Sequence, residues 1–212
     1  MNDAPFNEFE TALLTGVVDT ATLQLPDPEL LTYYKHLSYR KIWLDFNVDE
    51  YMLEVVRNIM LWNIEDNGRP VEERTPIWLY LFNYGGSLDL MWMITDVIQQ
   101  SVTPVYTVNM GQCSSAAALI FMSGHRRFML PSATVLIHEG QNQIGGDAVK
   151  VIDQAETYKI MIKKMREFII AHTQIPQSTL SRKKNNDWEL DSASCLKYGI
   201  CDRIVGSMSE II

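Results

Sequence analysis

The chain has 212 residues, 47% of them hydrophobic and 21% charged, with a formal charge of −8 and a pI near 5.0. That composition fits one globular domain with a sizeable core, and it argues against nucleic acid or an anionic membrane surface as the main partner. Three cysteines, Cys113, Cys195 and Cys201, give neither an even count nor CxxC spacing, which speaks against a disulfide framework or a zinc site.

Residues 1–10 are acidic and lack an apolar signal core, and no apolar run approaches the roughly 20 residues of a membrane span. A cytoplasmic protein is expected. Residues 1–30 read as a weakly structured arm ahead of a domain at 31–212. The end of the arm, Leu25-Pro26-Asp27-Pro28, reads as extended or turn-like, because proline disfavours helix in the residue before it. Residues 40–46 suit a strand. Residues 49–62 suit a helix, with Met52, Val55, Val56, Ile59 and Met60 at helical spacing. A charged loop then leads to an almost wholly apolar strand at 77–82, the pattern of a strand covered on both faces.

That strand stops at Asn83-Tyr84-Gly85-Gly86-Ser87, and a helix follows at 88–100. A short strand at 104–109 runs into Met110-Gly111-Gln112-Cys113-Ser114-Ser115, and a small-residue helix begins at Ala116. Strands at 126–130 and 133–137 are split by Pro131-Ser132, and the second ends at His138. After a polar loop at 141–146, a helix of about 27 residues covers 147–173. It exceeds what a domain of this size needs, so it is expected to project and bury part of its surface against another subunit. Short helices follow from Pro176 and at 192–198, the latter stopped by Gly199. Strands alternating with helices predict an α/β architecture of repeated strand–helix units.

A serine on a strand-to-helix turn and a histidine at a strand end are how a nucleophile and its base are commonly placed. Each also has a plainer reading. Ser115 is positioned to cap a helix, and position does not separate it from Ser114. His138 could be a structural histidine. Gly85-Gly86 serves either as a tight turn or as a close backbone approach to substrate, and the pattern is not that of a dinucleotide loop. Trp78 and Tyr80 share one face of their strand, forming either a docking pocket or core.

The order and spacing of these segments resemble the proteolytic subunits of the Clp protease, serine peptidases of family S14 with the crotonase-like fold. The resemblance runs over residues 34–205. It is carried by Tyr34-Lys35-His36-Leu37 with Arg40-Lys41-Ile42, by Ile77-Trp78-Leu79-Tyr80 with the glycine turn, and by Met110 to Ser115. Arg127-Phe128-Met129-Leu130-Pro131 with Val135-Leu136-Ile137-His138, and Tyr198-Gly199-Ile200-Cys201-Asp202, complete it. The resemblance implies a crotonase-like spiral of strand–helix units with a projecting long helix. It also implies Ser115 as nucleophile, His138 as general base, and Gly86 and Ala116 as oxyanion-hole donors. Trp78, Tyr80, Phe128 and Leu130 fall on positions that form hydrophobic pockets for a hexameric ATP-driven unfoldase. Two stacked heptameric rings would enclose a chamber fed with unfolded polypeptide, with the helix at 147–173 joining the rings. No metal or organic cofactor is implied.

The chain departs from the pattern at the third triad position. The expected aspartate lies eleven residues after His172-Thr173, where Lys183 stands. A lysine cannot accept an imidazole N–H. Three outcomes follow: Asp187, one helical turn on, serves as orienter; a Ser–His dyad works slowly; or the subunit is a weak or inert ring member beside an active paralogue. An acyl-CoA enzyme of the same fold is a further reading, but it leaves the paired Ser115 and His138 unexplained. Tyr84 and Gly140 replace prolines, Ala116 and Ala117 replace methionine and glycine, and the N-terminal arm lacks the axial-loop pattern of the family.

Overall fold

A computed structural model describes residues 27–140, 145–183 and 186–212. The predicted arm up to residue 26 and the polar loop at 141–144 lie outside the described residues. The chain divides into two compact units, 1–39 and 40–212. The described part of the first unit is helix α1 (Pro28–Ser38) and the residues flanking it. Asp27 has the extended backbone (φ −46°, ψ 128°) expected of a residue before proline, and Pro28 opens this helix ahead of the domain start expected at residue 31. Asp27 accepts from the Glu29 N–H at 2.9 Å, and Pro28 sits where its missing N–H costs nothing.

The second unit alternates strands and helices: β1 (Lys41–Leu44), α2 (Leu53–Glu65), β2 (Ile77–Asn83), α3 (Leu88–Gln100), β3 (Val105–Ser114), α4 (Ala116–Met122), β4 (Arg126–Met129), β5 (Thr134–Ile137), α5 (Ala148–His172), α6 (Gln177–Lys183), β6 (Trp188–Asp191), α7 (Ser192–Lys197) and β7 (Arg203–Ile204). Five strands form a parallel ladder in the order β1-β2-β3-β4-β7. Ile77, Leu79 and Leu81 are buried on one face of β2 and Tyr80 on the other, which is why the strand reads as a continuous apolar run.

β3 is longer than the sequence suggests. Tyr106 to Asn109 pair with β4, while Gln112 to Ser114 pair with β5, so the strand forks between two neighbours and carries on to the serine turn. β6 was not predicted. It pairs antiparallel with β5, with Ile137 opposite Trp188. α4 is buried along its whole length, whereas α5 buries Met165 and Ile169 and leaves Val149, Ile152 and Ile160 exposed. Its N-terminal half thus carries apolar surface that nothing in the described chain covers.

Among the described residues one carboxylate is fully buried. Asp66 is gripped by both Nη atoms of Arg40 and accepts from Thr103 Oγ1 at 2.9 Å. The Arg40 hydrogen bonds hold its carboxyl below the usual carboxylate range. All three cysteines are free and buried. Burial raises their thiol pKa values, that of Cys201 to about 11. A thiol reagent at pH 8 should therefore find none of the three in the folded chain within minutes, and all three in guanidinium. A fast-reacting equivalent in the native protein would contradict this packing. Among the described residues no helix is long and apolar enough to cross a membrane, and no cluster of His, Cys, Asp or Glu could hold a metal.

Candidate active site

The sheet brings three backbone segments to one place. β3 ends at Ser114, and the chain enters α4 through Ser115 with φ 56° and ψ −125°. A non-glycine residue there stores roughly 1–3 kcal/mol of strain, a conformation kept mainly where it aims a side chain. No side-chain cap bond is made by Ser115, so the capping role is not the one it plays. Its N–H donates to the Leu136 carbonyl at 2.9 Å, which ties the turn to β5.

The two serines, alike by position in the sequence, differ in the fold. Ser114 is buried in the ladder, and its Oγ accepts from Gln112 Nε2 at 2.6 Å. Ser115 stands partly exposed at the turn. Gln112 was not singled out by its sequence context. Its Oε1 accepts from Thr134 Oγ1 at 2.7 Å, across the β3–β5 register, a role visible only once β5 lies beside β3.

The glycine turn packs directly on this serine. A Cβ on Gly85 (φ +101°) would lie 2.7 Å from Ser115 Cβ and 3.1 Å from the Ala116 nitrogen. Both the close approach and the positive φ require glycine. Val48 donates to the Gly85 carbonyl at 2.9 Å and accepts from the Ser87 N–H at 2.7 Å. In a parallel bridge of that form, the N–H of the intervening Gly86 points away from Val48. The first intrahelical bond of α4 runs from the Ala118 N–H to the Ser115 carbonyl, so the N–H groups of Ala116 and Ala117 precede the helical ladder and are available as donors.

His138 follows β5 immediately. Its Nε2 is buried with no hydrogen-bond partner, and its Nδ1 lies 3.5 Å from Asp187 Oδ1. That pairing follows from register: Ile137 faces Trp188 in the antiparallel pair, so the next residues outward, His138 and Asp187, face each other. Asp187 is 73% exposed and His138 22%. Lys183 does not fill the acid position with anything that could orient the ring. Its Nζ lies over the Trp188 indole, 5.8 Å from the centroid. An apolar cavity lined by Ile137, Ile162, Met165, Ile169, Leu180 and Trp188 adjoins His138.

The aromatic group at β2 and β4 divides. Tyr80 and Phe128 are buried with Val205 and Ile211, while Trp78 and Leu130 are partly buried against them. The Tyr80 hydroxyl donates to the Ile211 carbonyl, and burial pushes its pKa up to about 12. Trp78 stacks on Tyr80 and leans on Phe128.

A strained serine between strand and helix, glycine backbone against it, and a histidine ending the adjacent strand are the frame of a serine hydrolase on an α/β sheet. The model of the Clp protease family matches residues 28–208, and the chain belongs to that family, with its crotonase-like α/β fold. The chain is 26% identical to ATP-dependent Clp protease proteolytic subunit 2 of Treponema pallidum, over 86% of this chain and 90% of that protein. It is 28% identical to proteolytic subunit 2 of Treponema denticola, over 84% and 87%. With proteolytic subunit 1 of Streptomyces avermitilis the identity is 29%, over 82% and 79%.

Proposed function

We propose that the chain is a Clp-type serine endopeptidase subunit that cuts unfolded polypeptide. Ser115 Oγ attacks the peptide carbonyl while His138 Nε2 takes its proton. The N–H groups of Gly86 and Ala116 receive the oxyanion. His138 then gives its proton to the leaving amine and activates the water that releases the acyl group. The observation that carries this reading is Asp187 at 3.5 Å from His138 Nδ1, because the acid is the part that the sequence pattern lacks. The separation is an ion-pair distance. Such contacts often tighten when substrate excludes water.

The same reading takes the subunit as a member of stacked seven-membered rings in the cytoplasm, served by a hexameric ATPase. The exposed apolar half of α5 would supply the contact between rings. Trp78 and Leu130 would meet the ATPase, with Tyr80 and Phe128 as the floor beneath them. A second reading, an inactive ring subunit beside an active paralogue, is favoured by the exposure of Asp187 and by Lys183 in the usual acid position.

Intact-mass measurement after fluorophosphonate treatment separates the two. One adduct, absent from Ser115→Ala, is the expected result. A folded oligomer that takes up no reagent would favour the structural subunit.

A further inference from the structure

His138 lies just beyond the last ladder pair of β5, where the chain is held on the Ile137 side by Trp188 of β6. A residue past the end of a ladder keeps its place only if the chain beyond it is also fixed. Helix α5 supplies that second hold. The Tyr158 hydroxyl donates to the Glu139 carbonyl at 2.7 Å, and Arg166 Nη2 forms an ion pair with Glu139 Oε1. Gly140 then turns with φ +82°, and a Cβ there would sit 3.1 Å from the Tyr158 hydroxyl oxygen, so the phenol lies close against the turn. Tyr158 and Arg166 are eight residues apart on α5, a spacing that puts both on one face of the helix. Arg166 Nε is buried and makes no hydrogen bond among the described residues, so Glu139 is met through Nη2, and Arg166 lines the same cavity as His138. One contact holds the backbone of the residue after the histidine, and the other holds its side chain.

We infer that Tyr158 and Arg166 are positioning residues for the general base: from α5 they pin Glu139 and thereby set the placement of His138 against Asp187 and Ser115. The kinetic consequence rests on the peptidase reading, whereas the placement of the ring does not. Glu139 and Arg166 are 27% and 33% exposed, so an ion pair there adds little to global stability. Its consequence should appear at the histidine.

The test uses the full chain with Tyr158→Phe, Arg166→Met and Arg166→Lys. It combines turnover of a fluorogenic peptide, fluorophosphonate labelling of Ser115, thermal melting and a crystal structure of each variant. The first two variants are expected to lose about ten-fold in kcat and in labelling rate with KM little changed, because a displacement of about 1 Å at a catalytic group is enough for such a loss. Their crystal structures should show His138 displaced from Asp187 or disordered, while Tm stays near that of the parent. Arg166→Lys, which keeps the cation, should recover most of the loss. Unmoved His138 with parental kcat in both variants would overturn the inference. So would an equal loss in Arg166→Lys accompanied by a falling Tm, which would mark a structural role. If the parent neither cleaves nor labels, the peptidase reading fails by itself, and the crystal placement of His138 still decides the inference.

Discussion

Asp187→Asn should lower kcat about 10²-fold, roughly 2.7 kcal/mol of transition-state stabilisation, with KM nearly unchanged. The amide has the shape of the carboxylate, so the fold has no reason to change. What is lost is the charge that favours the imidazolium and the acceptor that selects the tautomer with its proton on Nδ1. In a buried triad the same replacement costs about 10⁴. Asp187 is 73% exposed and 3.5 Å from the ring, so water both screens it and partly replaces it, and the loss should be smaller. Lys183→Met should change kcat by no more than about two-fold, because that ammonium lies over the Trp188 ring and does not bond the histidine. Parental kcat in Asp187→Asn would assign the chemistry to a Ser–His dyad. A large loss in Lys183→Met would give the lysine a role that its placement over the indole does not supply.

The reason Asp187 was open to question in the sequence is instructive. The helices and buried strands announce themselves through period: α3 begins and ends where the apolar spacing of residues 88–100 places it, and β2 is visible as an apolar run. The serine turn and the glycine pair were legible as motifs. β6 was not, because Trp188-Glu189-Leu190-Asp191 mixes two acids into four residues and gains its identity only by pairing with β5. Without β6 there is no register, and without register nothing sets Asp187 opposite His138. Spacing along the chain pointed instead to Lys183, on α6. The second half of β3 was hidden for the same reason, since Gly111 interrupts the strand pattern and Gln112, Cys113 and Ser114 become strand by pairing with β5. The aromatic face of β2 was ambiguous because burial of Tyr80 depends on Ile211, 131 residues away.

Asp66→Ala should destabilise the domain by about 3–5 kcal/mol, since removing one partner strands a desolvated charge. For a chain of this length that is roughly 10 °C in Tm, compared at equal protein concentration. The Arg40 side chain is 13% exposed and would keep the Thr75 carbonyl, at 3.1 Å, and the half-exposed Glu65 carboxylate, at 3.3 Å, but would lose its buried counter-ion, while Thr103 would lose the acceptor for its hydroxyl. The cost comes from a largely buried guanidinium left without its buried counter-ion. The double replacement Arg40→Met with Asp66→Leu should therefore be less damaging than Asp66→Ala alone, a non-additivity that only a coupled pair produces. The pair also gives stability a pH dependence of definite sign. The folded-state pKa of Asp66 is depressed below the unfolded value near 3.9, so its contribution is complete above that value and is lost as pH falls through the folded pKa. Urea unfolding of the parent should show stability dropping below about pH 4. In Asp66→Ala that part of the decline should be missing, although the variant is weaker at neutral pH. Parallel pH curves for the two proteins would mean that Asp66 carries no proton linkage and that its pairing with Arg40 is not what holds α2 to the start of β1.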